Sequence, residues 1–157
     1  MKYFLVQIIE TEEIETKLNH NELKESLHNL ILSKIRESYI HNITHNNDYI
    51  KFKAPIFRLV WNGFNLFNPI SKADIRIESK NNKLQLKYNF FFFEFFVYAL
   101  IFSATPFIAM LPDIVYRILF FLGIWVIYFI STMIAAHRFE NFIKKYINNK
   151  ENLILKN

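Results

Sequence analysis

FFFFEFFVYALIFSATPFIAML, residues 90–111, and IVYRILFFLGIWVIYFISTMIAA, residues 114–136, decide how the rest of the chain is read. The first run has 22 residues with Glu94 as its only charge; the second has 23 with Arg117 as its only charge. At about 1.5 Å rise per residue each reaches roughly 33 Å as a helix, enough to cross the hydrocarbon core of a bilayer. Neither carries the polar stripe that a surface helix of a soluble core retains. Leu111-Pro112-Asp113 joins them too tightly for anything but a reversal. The expectation is a transmembrane helical hairpin.

Working outward, the flanks of the hairpin are basic. Lys80, Lys83 and Lys87 precede it, and His137, Arg138, Lys144, Lys145 and Lys150 follow. Positive charge stays cytoplasmic, so both termini are expected inside and the turn outside. The four phenylalanines at 90–93, with Phe95 and Phe96, would mark the inner interface; Tyr116, Phe120 and Phe121 the outer one. Glu94 and Arg117 fall at opposite ends of the hairpin, about 25 Å apart along the axis, and each should snorkel to its own interface. Pro106 removes a bond to the Phe102 carbonyl and should bend the first span, with Ser103 and Thr105 compensating. Ala99 and Ser103 on the first helix, and Gly123, Ser131 and Ala135 on the second, make small-residue faces that let helices approach closely, within the hairpin or in an oligomer.

Before the hairpin, residues 1–89 read as a cytoplasmic α+β domain. Tyr3–Ile9 is a strand candidate; the acids that follow it and the absence of a small-residue cleavage site argue against a signal peptide. Between about Asn21 and Ser38, Leu23, Leu27, Leu30, Ile31 and Ile35 recur on one helical face, with Asn19 or Asn21 as cap. Residues 10–37 hold seven acids and four bases, so this helix is expected on the side of the sheet away from lipid. From Tyr49 the period changes to two: Tyr49–Lys53, Ile56–Trp61, an Asn62-Gly63 turn, and Phe64–Phe67. Lys72–Ser79 and Lys83–Asn89 alternate cleanly around Asn81-Asn82, a register that sets Ser79 opposite Leu84, Ile77 opposite Leu86 and Ile75 opposite Tyr88. The whole reads as an N-terminal strand, an amphipathic helix and an antiparallel β-meander.

Lys83–Asn89 enters the first span without a linker, so the sheet should sit on the bilayer. Lys80, Lys83, Lys87, Arg138, Lys144 and Lys145 would then contact headgroups, each worth about 1 kcal/mol on anionic lipid. Residues 137–157 form a cytoplasmic tail. Phe139, Phe142, Ile143, Tyr146 and Ile147 give it the stripe of a short amphipathic helix that packs back on the sheet, and Leu153–Leu155 is a weak edge-strand candidate.

The chemistry of the chain is sparse. Of 157 residues none is cysteine and two are glycine, which removes thiol chemistry and disfavours a phosphate-cradling loop. No nucleophile motif is present. His41 and His45 would share a helical face as metal ligands, with His28, Asp48 or Glu37 as a third; the surrounding asparagines favour a polar loop instead, and no metal or cofactor is expected. The net charge of +5 gathers beside the spans, which fits a membrane surface better than a nucleic-acid groove. Frequent Asn, Lys, Ile and Phe point to an AT-rich bacterial genome. The expected function is that of a non-catalytic accessory protein of the bacterial inner membrane, with the lipid bilayer and a protein partner or a second copy as its contacts. The alternatives are a membrane effector or immunity-type protein acting as a ligand-controlled oligomer or pore, and a membrane-bound metal protein or enzyme using His41 and His45.

Overall fold

The computed structural model describes residues 2–4, 7–14, 19–55, 66–67, 69–80, 83–108 and 113–154. The chain is α+β. In order it forms β1 (Lys2–Phe4), β2 (Gln7–Ile14), α1 (His20–Glu37), β3 (Asn42–His45), β4 (Tyr49–Lys53), β5 (Lys72–Lys80), β6 (Lys83–Phe91), α2 (Phe93–Ile108) and α3 (Ile114–Ile154). The strands make one antiparallel sheet in the order β1-β2-β6-β5-β4-β3.

β6 lies between β2 and β5, and its alternation is complete: Leu84, Leu86, Tyr88 and Phe90 are buried, and the odd-numbered residues between them are half-buried. Opposite them on β5 stand Ser79, Ile77, Ile75 and Ala73, the register expected from the sequence. The N-terminal strand is longer than expected and broken in two. β2 continues past Ile9 because all eight of its residues pair with β6, from Gln7 opposite Phe91 to Ile14 opposite Leu84. The expected strands at 56–61 and 64–67, and the turn at 62–63, lie largely outside the described residues; Phe67 is fully buried in the core.

One face of the sheet carries the helices. α1 is capped by the Asn19 side chain, which accepts from the Asn21 amide at 3.0 Å, and buries Leu23, Leu27, Ile31 and Ile35 completely. Ser26 and Tyr146 hydrogen-bond through their hydroxyls, which places α1 beside the C-terminal part of α3 on the same face. α1 is therefore not on the side of the sheet opposite the tail helix; both need the single apolar face that Leu84, Leu86, Tyr88 and Phe90 provide. Among the described elements no helix covers the other face, where Lys51, Asp74, Arg76, Glu78, Lys83 and Lys87 stand.

The phenylalanine run divides between two environments. Phe90 and Phe92 belong to the core, Phe91 ends β6, and only from Phe93 does the chain become helical. As described, α2 has 16 residues and reaches about 24 Å; it starts three residues later than the span expected, whose residues 109–111 lie outside the described ones. Pro106 lies inside α2. The Ser103 hydroxyl donates to the Leu100 carbonyl and that of Thr105 to the Ile101 carbonyl; the expected partner, Phe102, receives neither. α2 packs antiparallel to α3: Phe96 meets Trp125 and Tyr128 at ring separations of 5.7 and 6.3 Å, and Phe107 meets Phe121 at 6.3 Å.

α3 is the largest departure from expectation. It is one helix of 41 residues, about 60 Å long, with no break at 136–137 and no strand at Leu153 or Ile154. Nothing in the sequence stops it: there is no Gly or Pro between Gly123 and Ile154. Its buried positions, Tyr128, Thr132, Ala135, Ala136, Phe139, Ile143 and Ile147, run as a single stripe. α3 is long and apolar enough, from Ile114 to Asn152, to cross a membrane by length and composition.

Two outcomes are expected from this packing. Phe139 is fully buried, 5.0–5.8 Å from the rings of Phe90, Tyr88 and Phe67. Phe139→Ala should cost about 3–5 kcal/mol, read as a lowered denaturation midpoint in detergent. Tyr39 ends α1 at φ 56° and is exposed. That left-handed conformation strains any residue with a Cβ, so Tyr39→Gly should stabilise the fold by about 0.5–1 kcal/mol in the same assay.

Candidate functional site

The chain passes from sheet to apolar helix without slack. Ser71 donates its amide to the Phe91 carbonyl at 2.7 Å, and the Glu94 amide donates to the Ser71 hydroxyl at 3.1 Å. The start of α2 is thus fixed to the start of β5. Lys53, Lys72 and Phe91 stand side by side across β4, β5 and β6 at this level, and the Lys72 ammonium lies over the Phe91 ring at 5.2 Å.

Just inside this row, under α3, is a buried cluster of ionisable groups. The Tyr88 hydroxyl is 2.7 Å from Glu10 Oε2 and 2.6 Å from Glu140 Oε1. A phenol has one proton and can donate it to one of the two; the second contact closes only if a carboxyl contributes its own proton. Burial, and the neighbouring Glu140, raise the pKa of Glu10. Burial acts against ionisation of Glu140 as well. There it is outweighed by hydrogen bonds from Glu10 and Tyr88 and by the charges of Lys144 and His137, so its pKa lies below the usual carboxylate value. Burial and the two carboxyls push the Tyr88 hydroxyl far above its ordinary range, which keeps it a donor. The arrangement is an acid, a phenol and a carboxylate in contact, joining β2, β6 and α3. Beside it Lys144 Nζ meets Glu12 Oε1 at 2.7 Å, while Glu12 Oε2 is buried without a hydrogen-bond partner.

Sequence reasoning missed this cluster, since Glu10, Tyr88 and Glu140 are far apart in the chain. The available signal was Glu140 itself, an acid on the Phe139–Ile143 stripe. Likewise Glu10 and Glu12 share the face of β2 that carries Ile8 and Ile14.

The residues expected to meet lipid are scattered. Lys80 and Lys83 form the far end of the β5–β6 pair, eight residues from Phe91 and about 26 Å along the strand. Lys83 pairs with Glu13 at 3.5 Å, Lys87 with Glu78 at 2.6 Å and Lys144 with Glu12 at 2.7 Å. Arg138 and Lys145 are exposed on α3. Of the small residues, Ala99, Ser103 and Ala135 are buried and Ser131 is half-buried, whereas a Cβ added at Gly123 would meet nothing within 4 Å. Gly123 therefore does not line the contact with α2. His45 ends β3 and His41 lies just before it, where the Ile43 amide bonds back to the His41 carbonyl, so the two do not share a helical face. Among the described residues no three His, Asp or Glu side chains are arranged to hold an ion.

Comparison with protein-family models, curated proteins and solved structures returns no match to this chain.

Tyr88→Phe should cost about 1–3 kcal/mol, because it leaves the buried Glu140 carboxyl and the half-buried Glu10 carboxyl without their shared donor. The pH dependence has two limbs. Glu10, with its pKa raised, stabilises the fold at low pH and loses that contribution as pH rises through its folded pKa. Glu140, with its pKa lowered, contributes above the unfolded value and loses it as pH falls through its folded pKa. Glu10→Gln keeps a neutral partner for Glu140 and should abolish the alkaline limb alone, measured as melting temperature against pH.

Proposed function

We propose that this chain is a two-pass protein of the bacterial inner membrane, with both termini in the cytoplasm, that holds a non-catalytic folded head at the bilayer surface for a protein partner. The observation that carries the reading is where apolar surface is left uncovered. Among the described residues every exposed large apolar side chain except Tyr39 lies between Phe93 and Ile134. Water does not tolerate such a surface at this size, and lipid does. It occupies α2 and the first part of α3, and it ends where α3 begins to pack on the sheet. The antiparallel contacts of α2 with α3 support a helical hairpin as the embedded unit.

The sidedness follows from charge. Lys53, Lys72 and Arg138 flank the embedded part at its sheet end, while Arg117 and Asp113 are the described charges at the other. The continuous α3 stands the sheet on end, strands rising away from the bilayer, rather than laying it flat. The long faces of the sheet and α1 are then open to the cytoplasm, where a partner can reach them.

Ile127 is exposed near the middle of the embedded part of α3. Ile127→Arg should disfavour insertion by about 2.5–3.5 kcal/mol and reduce the carbonate-resistant membrane fraction. Equal recovery of variant and parent would overturn the embedding. Crosslinking in native membranes, followed by purification in mild detergent, should recover one defined partner. Repeated recovery of the chain alone would overturn the accessory role.

A further inference from the structure

A second polar feature lies away from the membrane end, between α1 and the β3–β4 connection. A cavity of about 500 Å³ is lined there by Asn21, Lys24, Glu25, His28, Asn29, Leu32, His45 and Asn47. A helix packed on a sheet normally closes such a gap with apolar side chains. Here seven of the eight lining residues are polar. His28 is the unusual one: it is 8% exposed, and its Nε2 is buried with no hydrogen-bond partner. A buried imidazole nitrogen left open is costly unless something binds it.

Facing it is the ring of His45, with centroids 5.5 Å apart and planes inclined at 53°. Two imidazoles on one tetrahedral ion, at the usual metal–nitrogen distance, place their ring centres about 5 Å apart. We propose that His28 and His45 form an open binding site for one divalent transition-metal ion of the zinc, nickel or copper class, with Glu25 and water completing its coordination.

The supports are rigid. His28 sits in the middle of α1. His45 ends β3, and the turn after it is held by the Asn46 side chain, which accepts from the amides of Asp48 and Tyr49 at 2.8 and 2.9 Å. Lys24 pairs with Asp48 and ties α1 to that turn. The backbones of Asn46 and Tyr49 and the Asn29 side chain lie within hydrogen-bonding reach of the same ring, the kind of outer contact that fixes a ligating histidine. Glu25 precedes His28 by three residues on the same wall and is exposed, free to turn inward. As the side chains stand, two donors converge rather than three. The site is therefore open and exchangeable, unlike a closed structural zinc site.

The test uses the full chain in detergent micelles, without a histidine tag, titrated with zinc by calorimetry and with cobalt by visible absorption. One saturable site per chain is expected, with imidazole-bound cobalt bands. His45→Ala, an exposed position that leaves the core intact, should weaken binding by about tenfold or more and remove those bands. His41→Ala should change neither, and His28→Gln, checked for folding by circular dichroism, should behave as His45→Ala. Absence of saturable binding, binding unaffected by His45→Ala, or an equal loss in His41→Ala would each overturn the site.

Discussion

One helix carries two kinds of surface, and the rest of the architecture depends on it. The buried stripe of α3 starts at Tyr128 against α2, passes through Thr132 and the small pair Ala135-Ala136, and continues as Phe139, Ile143 and Ile147 on the sheet. Because the stripe is continuous, the direction in which α2 packs and the direction in which the sheet packs are locked to one axis. Around the rest of the helix the chemistry changes at one level. Before Ala135 the other faces are apolar and exposed; after it they carry His137, Arg138, Lys144 and Lys145. The change falls where α3 reaches the sheet, since Ala135, Ala136 and Phe139 belong to the sheet core.

The same geometry explains where charge is buried. A helix that passes from an exposed apolar stretch directly onto a sheet must shield whatever the sheet presents there. Tyr88 carries a hydroxyl into the interface, and Glu140 on α3 and Glu10 on β2 supply its partners. Three polar groups in contact under a helix are tolerated only because each satisfies another and one of the two carboxyls keeps its proton beside that of the phenol. The cluster gives the α3–sheet joint a direction and a register that apolar packing alone specifies weakly, since Phe139, Ile143 and Ile147 could slide along a greasy face while Glu140 could not.

Local pattern was legible in the sequence and long-range pairing was not. The β5–β6 register was readable because the alternation on both strands and the two-asparagine tip agree. α1 was readable from Leu23, Leu27, Ile31 and Ile35, although Leu32 and His28 are buried where Leu30 is only half so. The apolar runs were readable as composition. Their ends were not, because Phe90 and Phe92 are as hydrophobic as a span and belong to the sheet core. The continuity of α3 was hidden by a change in the exposed faces, which alters the hydrophobic pattern without altering the backbone. Closeness in sequence to Phe90 did not show that the strands carry Lys80 and Lys83 to the end of the sheet away from α2, while pairing with β4 sets Lys53 and Lys72 beside Phe91.

A sheet joined this way is held firmly to α2 and α3. β6 enters α2 through Phe92 alone, Ser71 bonds both sides of that junction, and α3 runs from its contact with α2 onto the sheet as unbroken helix. Two short connections, fixed to the same sheet, join the α2–α3 pair to the folded part. A tilt of α3 must therefore tilt Phe139 and Glu140 with it, and so shift either the whole sheet or the contact between the two. The aromatic packing around Phe139 resists separation, and the Glu10–Tyr88–Glu140 contact resists sliding. The sheet consequently moves with the helix.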